Sequence, residues 1–304
     1  MKVFIIIVTF NGANWIEQCL NSILKKYKII VVDNNSTDDT IFLIENFFPE
    51  VEVIKVSRNL GFGAANNIGI KNAFKKEADY VFLLNQDTYI KGSAIDKLVS
   101  VSLKNKRFGI LSPVHLNWEG NLIEYYFERF ISKNRKFYSD NVLNLPLDEV
   151  YEVPFVNAAA WLIPRIVLEK IGGFDPIFFH YGEDNNYCQR VIYHDFKIGV
   201  VPDAFICHDS IIRLVSKNAI FNEQYYKNEI NKLIVKYSDI NLNISHNDFR
   251  SIKLKIFKLI IINIFKLNLK YIKGYIIKYW RYNPYYDRII KSRKQNMVKN
   301  SNYL

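Results

Sequence analysis

Four short apolar runs, spaced by stretches of helical periodicity, limit what this chain can fold into. The first, residues 3–10, reads Val-Phe-Ile-Ile-Ile-Val-Thr-Phe with no polar alternation. Such a run suits a strand covered on both faces, as in a parallel sheet. Asn11 and Gly12 end it, and Trp15, Ile16, Cys19, Leu20, Ile23 and Leu24 then recur at helical spacing. Residues 28–32 form the second run and stop at Asp33-Asn34-Asn35-Ser36-Thr37. Asp38-Asp39 opens a second helical stretch with Ile41, Phe42, Ile44 and Phe48 as its apolar positions. Residues 51–56 and 79–84 are the third and fourth runs, the last closed by Asn85-Gln86-Asp87-Thr88. This alternation predicts an α/β fold with a mostly parallel central sheet flanked by helices. Ligands gather at the carboxyl ends of strands in such sheets, and loops 33–37 and 85–88 both lie there. An Asp after a strand is ordinarily a turn former. Two such loops with an acidic pair downstream favour a shared cleft.

Further along, residues 92–104 read as a helix and 109–114 as a short strand ended by Pro113. Residues 117–150 carry no clear period. Residues 153–163 read as a strand holding Trp161, and 165–171 as a short helix. Residues 197–201 read as a strand stopped by Pro202, followed by Phe205-Ile206-Cys207-His208-Asp209. Loop 58–67 contains Gly61-Phe62-Gly63 but no third glycine, and it follows the third strand, so a dinucleotide fingerprint is excluded. The central stretch is Ile171-Gly172-Gly173-Phe174-Asp175-Pro176, an aromatic wall to Tyr181, then Gly182-Glu183-Asp184 at a helix start. The helix dipole favours ionised acids there. An ionised carboxylate beside an apolar wall has the makings of a general base. An acidic helix cap is the plainer reading of the same pair.

Taken in order, Ile7-Val8-Thr9-Phe10-Asn11, residues 30–38, Asn59-Leu60-Gly61-Phe62, Leu84-Asn85-Gln86-Asp87-Thr88, residues 171–175, Gly182-Glu183-Asp184 and His208 resemble the family 2 glycosyltransferases of the GT-A fold. The likeness is greatest to their rhamnosyltransferase-type branch and spans residues 1–209. It implies an inverting transferase that moves a sugar, rhamnose among the candidates, from a dTDP- or UDP-sugar to a glycan or lipid-linked acceptor in cell-surface polysaccharide synthesis. By the same resemblance Thr9, Asn11, Asp33 and Asn59 line the nucleotide pocket, with Asp33 accepting from the base imide. Gln86 and Asp87 face the donor. A divalent cation, Mg²⁺ or Mn²⁺, would be held by Asp87 and His208, an imidazole favouring Mn²⁺. Asp184 would take the acceptor proton, with Glu183 orienting the acceptor or supporting Asp184. Trp161 and Tyr181 are candidates to stack on a sugar face. The chain departs from the family at Asn85, where the first acid of the metal motif is missing, and at Asn186, where a further acid is common.

Charge is unevenly placed. Thirteen of the 41 basic residues and one of the 30 acidic ones follow residue 250, so the net charge of +11 belongs to the tail. In that tail Lys255, Lys258, Lys266, Lys270 and Lys273 share one sector of a helical wheel, and Ile256, Phe257, Ile260, Ile264, Leu267 and Tyr271 fall opposite. This pattern predicts a transferase domain at 1–240 and, at 241–304, a basic amphipathic helical region for an anionic membrane surface. Packing on the body is the bland alternative, and residues from 291 on read as a frayed end. Nucleic acid is not expected, because it gives no reason for the apolar face. Three cysteines, no convincing leader and no run long enough to span a bilayer point to a cytoplasmic protein at the inner membrane face. Two rivals stand beside this reading. A sugar-phosphate nucleotidyltransferase would need a basic residue in Asn11-Gly12-Ala13-Asn14, which has none. A degenerate sugar-nucleotide-binding module would explain Asn85 and would not turn over donor.

Overall fold

Each apolar run of the first ninety residues becomes a strand of one sheet in the computed structural model, which describes residues 1–210, 220–300 and 302–304. The first elements are β1 (Val3–Thr9), α1 (Ile16–Asn21), β2 (Lys28–Asp33), α2 (Thr40–Phe47), β3 (Glu52–Lys55), α3 (Phe62–Lys75) and β4 (Tyr80–Asn85). β1 pairs in parallel with β2 and β4, and β2 with β3. Along β1, Phe4 and Ile6 enter the core on one side while Val3, Ile5 and Ile7 enter the core on the other. That two-sided burial is why the run lacks alternation. Each such side chain contributes roughly 1.5–3 kcal/mol. The register sets Thr9 opposite Asp33 and Val8 opposite Asn85, which brings the polar loops to one edge.

The chain continues through β5 (Thr88–Lys91), α4 (Ala94–Lys104), β6 (Phe108–Leu116), α5 (Tyr125–Ile131), α6 (Arg135–Val142), β7 (Tyr151–Glu152), β8 (Ala160–Pro164), α7 (Arg165–Ile171), α8 (Glu183–Tyr193) and β9 (Lys197–His208). The sheet order is β3-β2-β1-β4-β8-β6-β9-β5, with β7 also on β9. β8 is antiparallel to β4 and β6, β9 runs parallel to β6, and β5 and β7 are antiparallel to β9.

Three sequence expectations change here. Residues 153–163 are not one strand, since β8 begins at Ala160. Residues 117–150 contain the helices α5 and α6. Neither Pro113 nor Pro202 ends a strand. Pro113 lies opposite Val201 and the next pair is Val114 with Phe205, so Pro202 lies in a bulge that Pro113 borders, and both strands run on. A bulge tolerates a residue that cannot donate to the ladder. Beyond it, His115 sits opposite Ile206 and Leu116 opposite Cys207, which draws the ends of β6 and β9 together.

Residues Met1–Ile212 with Lys299–Leu304 form one compact unit and Arg213–Val298 a second. The division therefore falls earlier than 240, because α9 (Glu223–Ser238) packs with the helices that follow. These are α10 (His246–Phe265), α11 (Leu269–Tyr282) and α12 (Tyr285–Asn296). Ser245 and Asp248 form a capping box at the start of α10. Residues after 291 are not frayed, since α12 runs to Asn296 and the buried Arg293 donates to the carbonyls of Tyr237, Asp239 and Leu242. Among the described residues, no helix is long and apolar enough to cross a membrane.

Candidate active site

The loops at the carboxyl edge of β1, β2 and β4 are tied into one network. The Thr9 hydroxyl donates to Asp33 Oδ1 at 3.0 Å and the Ser36 amide to Asp33 Oδ2 at 3.1 Å. Asp33 is thus buried and forms the turn expected of an Asp after a strand. Asn11 adopts a left-handed φ of 51°, its amide donating to Ser36 Oγ and its Oδ1 accepting from the Thr37 amide. Gln86 bridges across, accepting from the Phe10 amide at 2.9 Å and donating to the Phe10 carbonyl at 3.2 Å. Asn34 donates to Asn59 Oδ1 at 3.0 Å and accepts from the Leu60 amide at 2.8 Å. Thr9, Asn11, Asp33, Asn59 and Gln86 therefore meet at one edge.

Asp87 and His208, 121 positions apart in the sequence, also meet. Thr88 pairs with His208 across β5 and β9, and the Asp209 amide donates to the Asp87 carbonyl at 2.9 Å. His208 Nε2 stands 3.5 Å from Asp87 Oδ1. Burial opposes a charge on this ring. The hydrogen bond and charge of Asp87, with the charges of Glu124 and Asp209, outweigh it and raise the His208 pKa. Two further residues gather here that sequence reasoning missed. Donor atoms of His115, Glu124 and His208 all lie within 4.8 Å of one another, and the residues are 0%, 1% and 8% exposed. His115 Nε2 lies 3.0 Å from Ser112 Oγ, while the Nδ1 atoms of His115 and His208 are buried without a partner. Burial and the neighbouring His208 hold His115 well below the usual imidazole range, so it is neutral and a lone pair is available. Imidazole and carboxylate donors of this kind suit Mn²⁺ or Zn²⁺, so the residues fit the implied cation even with Asn85 in place of an acid. His115 has no sequence signal, as it lies just past the strand read at 109–114. Glu124 lies in the stretch without a clear period and gives no signal; in the structure it caps α5, accepting from the Tyr126 and Phe127 amides.

The acidic pair opens α8 behind Tyr181 and Gly182, both in left-handed conformation. Loop 59–63 abuts this stretch, because a Cβ on Gly61 would collide with the Phe179 carbonyl and one on Gly63 would press Phe174. The helix dipole does not keep both acids freely ionised. Burial raises Glu183 to about 7, and the charge of Asp184 adds to this. Glu183 is 5% exposed and its Oε2 has no partner. Asp184 is partly exposed, and partial burial raises its carboxyl against hydrogen bonds from the Asn185 amide and side chain. A raised carboxylate is a stronger base at neutral pH. Trp161 is no sugar platform: it is fully buried against Phe174 and Tyr187. Tyr181 is exposed.

Glu183 makes a direct stability prediction. A carboxyl raised in the fold stays protonated there while the unfolded chain ionises near 4.5. Its contribution is present below that pH and is lost as pH rises towards about 7. Ionising it in place costs roughly 3 kcal/mol. Glu183→Gln cannot ionise, so its stability relative to the parent should rise by up to about 3 kcal/mol from pH 5 to pH 8, read from urea midpoints. A difference that stays constant with pH would show that Glu183 titrates normally.

Residues 4–172, more than half of the chain, match the model of glycosyl transferase family 2. The chain belongs to that family. The dTDP-rhamnosyl transferase RfbF of Shigella flexneri is 25% identical over 219 residues, covering 68% of this glycosyltransferase and 69% of the relative. The N-acetylglucosaminyl-diphospho-decaprenol L-rhamnosyltransferase of Mycobacterium tuberculosis is 23% identical over 231 residues, covering 67% and 75%. Other curated relatives are matched over half of their own length or less. Among solved structures, S. aureus TarS in complex with UDP-GlcNAc superposes with a TM-score of 0.57 at 17% identity, over 82% of this chain and 69% of that one. The enzyme thus has the GT-A fold, an α/β sheet flanked by helices.

Proposed function

We propose that this glycosyltransferase moves a deoxyhexose, rhamnose first among the candidates, from a dTDP- or UDP-sugar to a glycan or lipid-linked acceptor in polysaccharide synthesis, with inversion. The observation that carries the mechanism is the place of Asp184 in the first turn of α8, beside the buried Glu183. Asp184 accepts the proton of the acceptor hydroxyl as that oxygen bonds to the anomeric carbon. The bond from that carbon to the diphosphate oxygen breaks on the opposite face, so one displacement inverts the centre. Glu183, protonated below about pH 7, donates a hydrogen bond that orients the acceptor. Thr9, Asn11, Asp33 and Asn59 hold the nucleoside, and Gln86 and Asp87 face the diphosphate. Asp87 and His208 would hold a divalent cation, with His115 and Glu124 behind His208. Such an ion neutralises the charge of the leaving diphosphate. The rhamnosyltransferase relatives support the sugar class.

A screen of dTDP-, UDP- and GDP-sugars by mass spectrometry, with the product anomer read by NMR, tests this reading. Release of nucleoside diphosphate from one donor class with an inverted product is the expected result. Binding of nucleotide without turnover of any donor would favour the degenerate module.

The second unit gives the membrane part of the proposal. Leu254, Phe257, Ile261, Ile264, Phe265, Leu267 and Leu269 are exposed, with Lys255, Lys258, Lys266 and Lys270 among them. An apolar face rimmed by lysines suits the headgroup region, each cation near an anionic leaflet contributing about 1 kcal/mol. The full chain should float with phosphatidylserine-rich liposomes at low salt and stay down with neutral lipid or in high salt. Sedimentation free of both kinds of vesicle would refute it. This location at the inner leaflet suits a lipid-linked acceptor.

A further inference from the structure

Residues 302–304 belong to the first unit although 86 residues of the second precede Lys299. The Asn302 carbonyl accepts from the Gly173 amide at 2.9 Å. A Cβ on Gly172, whose φ is +83°, would collide with the Asn302 backbone, and one on Gly173 would press Leu304. Leu304 packs against the core cluster that contains Phe174, Trp161 and Tyr187. The Tyr303 hydroxyl hydrogen-bonds the carboxyl of Asp175. Its ring lies 5.4 Å from the Arg190 guanidinium, which faces Tyr187 at the same distance. Arg190 is fully buried on α8 and donates to the carbonyls of Gly173, at 2.6 Å, and Ile171. The two glycines thus serve more than a helix stop: they leave room for another strand of chain to lie against the turn.

We infer that residues 302–304 are a positioning strap for catalysis, which clamps the 171–175 turn and Arg190 and thereby fixes the start of α8, where Glu183 and Asp184 stand. The inference rests on the reading that this helix start is catalytic. The connection is physical at each step. The strap closes one side of the buried guanidinium, the guanidinium joins α8 to the turn, and the turn carries the chain to Gly182. A small displacement of a catalytic group is expensive in rate, up to a hundredfold for about 1 Å.

The test is the full-length double variant Tyr303→Ala/Leu304→Ala, read in two ways. Hydrogen exchange should quicken at least about tenfold in peptides covering 171–187 and stay unchanged in β1, β2 and β4, since local opening is read from protection. Turnover per folded molecule should fall roughly tenfold to a hundredfold, with little change in donor KM. Tyr303→Phe, which keeps the ring over Arg190, should retain most of the turnover. If the double variant does not fold, Leu304→Ala alone should give the same pattern at smaller amplitude. Unchanged exchange over 171–187 overturns the proposal, and so does normal turnover in a variant whose exchange there has quickened. A parallel Asp184→Asn measurement keeps the two readings apart, because the base assignment is judged from that variant alone.

Discussion

Asp184→Asn should lower turnover by two to four orders of magnitude, the usual worth of a placed general base, which amounts to roughly 3–5 kcal/mol of barrier. The amide occupies the same space and still accepts from the Asn185 amide, so the start of α8 should keep its shape. It cannot take a proton. Donor affinity should change little, because the groups proposed to bind nucleotide lie on the β1, β2 and β4 loops. A second effect follows from charge. Asp184 helps to raise Glu183, so removing its charge should lower the Glu183 pKa from about 7. In the parent enzyme, kcat/KM should rise with pH through the raised pKa of Asp184, and this limb should disappear in the variant. Steady-state kinetics over pH, with donor binding by calorimetry, measures both. Near-normal turnover in Asp184→Asn would remove it as the base.

The sequence disclosed the parallel half of the fold because its signals are local. β1 is buried on both faces, and seven successive apolar or β-branched residues say so. α7 ends at Ile171, where Gly172-Gly173 ends the helical pattern. Pro202 misled because a proline's meaning depends on its partner strand: opposite β6 it marks a bulge, and alone it reads as a stop. The residues proposed to bind nucleotide were legible since Thr9 and Asp33 end strands and Asn11, Asn59 and Gln86 lie in the loops that follow strands, and parallel strands bring their ends together. His115 and Glu124 were not, because only the pairing of β6 with β9 carries His115 to His208, and Glu124 arrives through its amide bond to the His115 carbonyl. Trp161 was equivocal, as an aromatic in a strand reads the same in a core or a cleft. The position of Asn302–Leu304 had no signal either, since nothing local ties it to glycines 130 residues earlier.

Loss of the proposed cation contacts should be the other large effect. Asp87 is the acid this chain retains after the fourth strand, with Asn85 in the other position. His208 is held beside it at 3.5 Å by the pairing of β5 with β9. A two-residue contact leaves little redundancy. His208→Ala and Asp87→Ala should each raise the Mn²⁺ needed for half-maximal rate by roughly ten- to a hundredfold, a range also typical when a residue supporting a metal ligand is lost. His115→Ala should give a smaller rise, because it removes a neighbour of His208 and not the ring that faces Asp87. The pH dependence has a definite sign. A metal must displace the proton from His208, and Asp87, Glu124 and Asp209 strengthen the hold of that proton. Apparent Mn²⁺ affinity should therefore weaken as pH falls through the raised His208 pKa. Loss of the free Mn²⁺ electron paramagnetic resonance signal on titration reads binding without reference to turnover. Full activity in excess chelator, with unchanged kinetics in both His208→Ala and Asp87→Ala, would mean that the leaving diphosphate is neutralised by protein groups alone.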